Sequence, residues 1–224
     1  MDFMRILQSL EEFLYEIMGW LVFYPRAIWR TLRHPVAVAV YTGEQLKQPR
    51  DEQFTEMVSP PLMLILTIVL AHLIELGTRH GTPTIDTVLG REIFSSEQMV
   101  IATRSVVFCF FGLFGAMVML RHERQPTNRD TLRKPFYIHC YLLAPFALGL
   151  AIASTIMTFA HGEWILAGGA MLVISCVWYA WAQTAIYRRI LTMSWWRAAL
   201  TASLANLLAT VVIVCLYLVV AGVR

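Results

Sequence analysis

From Ser59 onward the chain falls into long apolar blocks divided by short charged stretches, and few folds accept that pattern. A soluble core draws on apolar residues spaced along helices or strands with polar residues between them. A membrane span instead needs about 20 successive apolar residues to cross a hydrocarbon layer of roughly 30 Å. Blocks at 60–77, 98–120, 136–160, 163–187 and 195–220 meet the second requirement. Composition agrees, with 58% hydrophobic and 15% charged residues against roughly 45–50% and about 25% in soluble domains. The mean hydropathy is +0.59. The sequence predicts an all-α polytopic membrane protein: a bundle of five transmembrane helices over 59–224, preceded by a cytoplasmic or interfacial segment over 1–58.

Two helix starts are marked locally. Ser59-Pro60 places an N-cap hydroxyl before a proline whose missing N–H costs nothing at the first helical position, and Ser95 with Gln98 fits a capping box. In the N-terminal segment, Phe3, Ile6, Leu7, Leu10, Phe13, Leu14, Ile17, Met18 and Leu21 recur at steps of three and four, with Gln8, Ser9, Glu11, Glu12 and Glu16 between them. This is the stripe of an amphipathic helix. Its fully apolar run, 17–24, is too short to span a bilayer, so an interfacial position is predicted, with Trp20, Tyr24 and Trp29 at headgroup depth. Arg26, Arg30 and Arg33 then share a helix face suited to anionic lipid. That helix should stop at His34-Pro35, because a residue before proline avoids the α region. Residues 42–56 read as a polar surface linker. No apolar stretch with a small-residue cleavage site follows Met1, so no removable signal peptide is predicted.

Lys and Arg set the predicted orientation. Arg26, Arg30, Arg33, Lys47 and Arg50 precede the first block; Arg121, Arg124, Arg129, Arg133 and Lys134 lie between the second and third; Arg188, Arg189 and Arg197 lie between the fourth and fifth. In the 78–97 connection Arg79 and Arg91 are offset by Asp86, Glu92 and Glu97, and His161-Gly162 carries no Lys or Arg. The basic loops belong inside, which predicts a cytoplasmic N-terminus and an external C-terminus. The net charge of +3 is spent on these flanks, and no separate basic domain points to a nucleic-acid partner. Expected partners are membrane lipids, other membrane proteins or further copies of the chain.

Small-xxx-small pairs (Gly112 with Ala116, Ala147 with Ala151, Gly149 with Ala153, Ala198 with Ala202, Ala205 with Ala209) predict the faces where helices meet. Pro145 removes a backbone bond to the Tyr141 carbonyl inside the third block and predicts a kink or opened turn. Among ionisable groups, His72 and Glu75 are one turn apart near the outer end of the first block, and Arg104 sits at similar depth in the second. Charges inside a bilayer usually find partners. A Glu75–Arg104 ion pair with His72 beside it is therefore predicted, either as a structural bridge or as a proton- or ligand-binding site. Asn206 and His139 are weaker candidates for bridging helices. Pro145 and Asn206 would join the His72 group along a pathway if the protein transports a solute. Cys109, Cys140, Cys176 and Cys215 lie in apolar blocks without metal-site spacing and read as buried structural thiols. No phosphate loop, nucleophile elbow or zinc-protease motif is present, so the chain is expected to be non-enzymatic, with no cofactor and no metal.

The plan of an amphipathic N-terminal region followed by five closely spaced spans, with Leu32-Arg33-His34-Pro35 before the bundle and Ser59-Pro60-Pro61 opening it, resembles the Yip (Ypt-interacting protein) domain family, and in particular its bacterial permease-like members. The Asp-Leu-Tyr-Gly-Pro signature of eukaryotic members is absent, so GTPase binding does not carry over. The resemblance implies an adaptor-like or bilayer-organising membrane protein; the alternative is a transporter or permease for a small solute or lipid.

Overall fold

The structure, a computed structural model, describes residues 2–50, 52–77, 96–159 and 164–221. Within them it is all-helical: α1 (Asp2–Arg33), α2 (Pro35–Gln45), α3 (Pro60–Leu76), α4 (Glu97–His122), α5 (Arg129–Phe159), α6 (Trp164–Ile190) and α7 (Trp195–Ala221). Of these, α4, α5, α6 and α7 are each long and apolar enough to cross a membrane, and α3 is apolar but shorter, at 17 residues. The chain is thus a helical protein of integral-membrane type.

α7 shows why the bundle belongs in lipid. Ala198, Ala202, Ala205 and Ala209, at steps of three and four, are buried, while Leu200, Leu204 and Leu207 are 63%, 63% and 60% exposed. Water would favour the reverse. In lipid, large side chains gain nothing by facing the bundle, and small ones let backbones approach. Every member of the five small-xxx-small pairs is buried. Cys140 is buried as well, but Cys176 and Cys215 face outward and Cys109 is half-buried, so only one of the four thiols is a core residue.

The hub is α5. Of its apolar window 61% is buried, against 22%, 22% and 17% for α4, α6 and α7. It packs against α3, α4 and α6, and also against α1 and α2, while α7 closes the far side against α6 and α4. α5 begins at Arg129, seven residues ahead of the predicted block, and runs through both Pro135 and Pro145.

The N-terminal part is more ordered than its polarity suggests. α1 passes through Pro25 and ends at Arg33, and His34, before Pro35, leaves the α region (φ −135°, ψ 58°). Pro35 then opens a second helix at once, because a proline is tolerated at a first helical position. α2 continues to Gln45, so the surface linker expected over 42–56 is helical in its first residues. Its remainder is pinned to α5. Phe54, in the left-handed region (φ 60°), packs its ring against Tyr41, Tyr137 and Tyr141, and its N–H donates to Gln45 Oε1 at 2.6 Å. Arg133 donates to Gln53 Oε1 at 2.8 Å, and the Tyr141 hydroxyl donates to the Val58 carbonyl at 2.7 Å.

The helix starts differ in detail from expectation. Ser59 occupies the N-cap of α3, but its hydroxyl caps nothing; the Met63 N–H reaches the Ser59 backbone carbonyl instead, at 2.8 Å. Ser95 lies outside the described residues, and the N-cap of α4 is Ser96, whose hydroxyl accepts from the Met99 N–H at 3.3 Å.

Candidate functional site

Polar side chains collect in three places. The first is the seam between α3 and the start of α4. Arg104 and Glu75 form an ion pair, 2.5 Å between Nη2 and Oε2, with 32% and 16% of the side chains exposed. His72, three residues before Glu75 on the same helix, makes a contact of its own. Its Nε2 lies 2.5 Å from Oε2 of Glu97, the first residue of α4. The approach lacks aligned hydrogen-bond geometry, and neither buried ring nitrogen has a hydrogen-bond partner among the described residues. The imidazole is 1% exposed and the Glu97 carboxylate 50%, so a buried ring leans on a group that reaches the surface. Glu97 carries further value as an acidic residue in the first turn, where the helix dipole favours negative charge.

The second place lies at the other end of the bundle, where α4, α5 and α6 meet. His139 on α5, Gln183 and Tyr187 on α6 are all buried. Nδ1 of His139 lies 2.8 Å from the Pro135 carbonyl, which can only accept, so Nδ1 carries the proton and Nε2 presents its lone pair. Facing that lone pair at 3.4 Å are Gln183 Nε2 and the Tyr187 hydroxyl. Gln183 Nε2 also donates to the Tyr187 oxygen at 2.9 Å, and the Tyr187 hydroxyl donates to the Gly115 carbonyl of α4 at 3.2 Å. The chain of bonds therefore ties three helices. A Cβ at Gly115 would collide with the His139 ring, one at Gly149 with the Ser175 hydroxyl, and one at Gly168 with Met157. Glycine is required at each of these close approaches. Two buried atoms, the Tyr179 hydroxyl and Gln183 Oε1, have no partner among the described residues.

Sequence reasoning gave His139 only a secondary place and passed over Gln183 and Tyr187. Their spacing of four residues, one above the other on α6, was the available signal. Pro145 is buried within α5, one residue before Phe146, whose ring stacks on Tyr179 at 4.7 Å. Asn206 is half-buried on α7, and its backbone carbonyl accepts from the Thr210 hydroxyl at 2.8 Å. Because α3 packs on α5 and α4 whereas α7 packs on α6 and α4, His72 and Asn206 belong to different seams.

The third place is the corner between α1 and α2. Arg26 and Arg33 are exposed and Arg30 is half-buried. Arg33 stands 4.1 Å over the Trp29 ring and Arg30 5.0 Å over Tyr41. Burial pushes the Tyr41 hydroxyl above its ordinary pKa, and Glu56 adds to the rise while Arg30 opposes it. The indole N–H of Trp178 on α6 donates to the Leu32 carbonyl at 3.1 Å, satisfying one of the free carbonyls at the end of α1. Tyr24 and Thr67 share a hydrogen bond of 2.9 Å that joins α1 to α3.

No family model, curated protein or solved structure matches this chain. Chemical reading therefore rests on the three clusters themselves.

Proposed function

We propose that this chain is a non-enzymatic integral membrane protein with an adaptor-like or bilayer-organising role, similar in plan to the Yip family. In this reading α3 to α7 are five spans, and α1 is an amphipathic helix lying in the inner interface of a bacterial inner membrane. The N-terminus is cytoplasmic and the C-terminus external. α3 is about 26 Å long at 1.5 Å per residue, close to the hydrocarbon thickness. The exposed Met18, Leu21 and Val22 of α1 supply an apolar face for the headgroup boundary.

The observation that carries the proposal is the close contact of helices at their glycines. A transporter needs a space between helices that opens to each side in turn. Here Gly112, Gly115 and Gly149 bring neighbouring helices so close that a Cβ would meet Leu143, His139 or Ser175. The His139, Gln183 and Tyr187 bonds and the Phe146–Tyr179 stack add cross-links between the same helices. The Glu75–Arg104 and His72–Glu97 contacts then act as a structural clasp between α3 and α4.

Access of water decides between this and the transporter. With the native cysteines replaced, Ala144→Cys and Ala182→Cys, both buried, should resist a membrane-impermeant maleimide from either side of intact membranes. Labelling that alternates between the two sides would install the transporter reading instead. A tag placed after Arg224 and found in the cytoplasm would overturn the five-span topology.

A further inference from the structure

We propose that the groove between the α1–α2 corner and the end of α6 is a binding site for one anionic phospholipid, its phosphate held by Arg30, Arg33 and Arg189 and its acyl chains laid against Trp181, Val36 and Val40. This deepens the bilayer-organising reading and rests on it in one respect, that the basic end of the bundle faces an anionic leaflet.

The groove has a volume of about 610 Å³ and continues past Val36, Ala185 and Arg189 into a second of about 550 Å³ that includes Arg188 and Trp195. Its walls come from two stretches of sequence about 140 residues apart, 30–44 and 181–195, so the site exists only in the folded chain. Along α6, Trp181, Ala185 and Arg189 follow at steps of four on one face. Over about 12 Å of helix the wall thus passes from an indole, through a small residue, to a guanidinium. That gradient matches a phospholipid, charged at one end and apolar beyond it, and does not match a free ion.

The charge is available for a ligand. Arg30, Arg33, Arg188 and Arg189 enter no salt bridge among the described residues, and Glu44 is the single acidic residue in the two walls. Aromatic rings hold the guanidinium groups instead: Arg33 over Trp29 at 4.1 Å, Arg30 over Tyr41 at 5.0 Å and Arg188 over Trp195 at 5.9 Å. A ring orients a cation without neutralising it, leaving planar donors suited to phosphate oxygens. The Trp178 bond to the Leu32 carbonyl anchors the opposite wall to α6, so the cleft is built before the lipid arrives. Arg26, on the same helix, lines neither cavity.

The test uses the full chain in nanodiscs of phosphatidylcholine containing phosphatidylglycerol, with native mass spectrometry of the lipid that stays bound after extraction. Phosphatidylglycerol should be retained over phosphatidylcholine. Arg33→Gln and Arg189→Gln should each lower its occupancy about fivefold, the weight of one basic residue at an anionic surface, and Arg26→Gln should leave it unchanged. Ala185→Trp, which fills the groove and alters no charge, should also displace the lipid; with Arg33→Gln it carries the test if Arg189→Gln does not yield monodisperse protein. Unchanged occupancy in the groove variants, an equal loss in Arg26→Gln, or displacement of the lipid by inorganic phosphate would each overturn the proposal. Maleimide labelling at Ala144→Cys would defeat the closed-bundle reading while leaving this occupancy intact, so the two failures are separable.

Discussion

The two buried polar seams hold helices together by opposite means. At the α3–α4 seam each contact involves a carboxylate and keeps one partner in reach of the surface: Glu97 is 50% exposed and Arg104 is 32% exposed. At the meeting of α4, α5 and α6 the side chains are uncharged and His139, Gln183 and Tyr187 have at most 1% exposure. The difference follows from desolvation. A charge buried alone costs several kcal/mol, and a pair with one end wet avoids most of it. Neutral donors and acceptors can be buried outright if they find one another, and leaving one unmatched costs about 1–3 kcal/mol. The dry seam of α4, α5 and α6, called inner from here, should therefore govern stability, and the half-exposed α3–α4 seam, called outer, should be tolerant.

The largest effect is expected at Gly115. Gly115→Val places side-chain atoms where the His139 ring sits, and overpacking of this kind costs about 3 kcal/mol at the upper end of its usual range. Unfolding followed in mixed micelles should lose most of its transition. A Gly115→Val protein with wild-type stability would remove the claim that α4 and α5 touch through this glycine.

Next comes the hydrogen-bonded chain. His139→Leu takes from Gln183 Nε2 the acceptor it faces at 3.4 Å and should cost about 1–2 kcal/mol, within the range seen for buried and intramembrane bonds. Tyr187→Phe should cost less than His139→Leu, because it removes its own polar atom along with the bond. A double-mutant cycle between the two positions should give a coupling of about 0.5 kcal/mol or more; additive losses would mean that the 3.4 Å contact between them is geometric proximity alone.

Glu75→Gln should cost about 0.5–1 kcal/mol, since Arg104 keeps access to water or headgroups when its partner is neutralised. A loss as large as that of His139→Leu would erase the contrast between the seams and show that depth, not charge, sets their worth.

This contrast also explains what could be read from the sequence. The apolar blocks and the small-xxx-small pairs were legible because lipid imposes both, and all ten residues of those pairs are buried. Glu75 and Arg104 stood out because charges are rare in such blocks. His72 was visible too, but its contact with Glu97 was not. That contact depends on how the N-terminus of α4 sits against α3, and no local spacing encodes it. Gln183 and Tyr187 were hidden among ordinary polar and aromatic residues, since nothing in a neutral side chain announces a partner 44 or 48 positions away. α2 was missed because Pro35 was read as a stop. It is both the stop of one helix and the first residue of the next.

The smallest expected effect belongs to Glu97→Gln, and it probes the wet end of the outer seam. The substitution leaves the shape and removes the charge facing His72 Nε2, together with a favourable charge in the first turn of α4. Each of these contributes a few tenths of a kcal/mol when half-exposed, so a loss of about 0.5 kcal/mol is expected. Because the carboxylate reaches the surface, added salt should shrink the difference between variant and parent, as a Debye length of about 10 Å at 0.1 M falls to about 3 Å at 1 M. The same titration should leave the penalty of His139→Leu untouched, since no formal charge takes part there. If salt moved both penalties alike, or neither, the division of the bundle into a charged, wet seam and a neutral, dry one would have no energetic content.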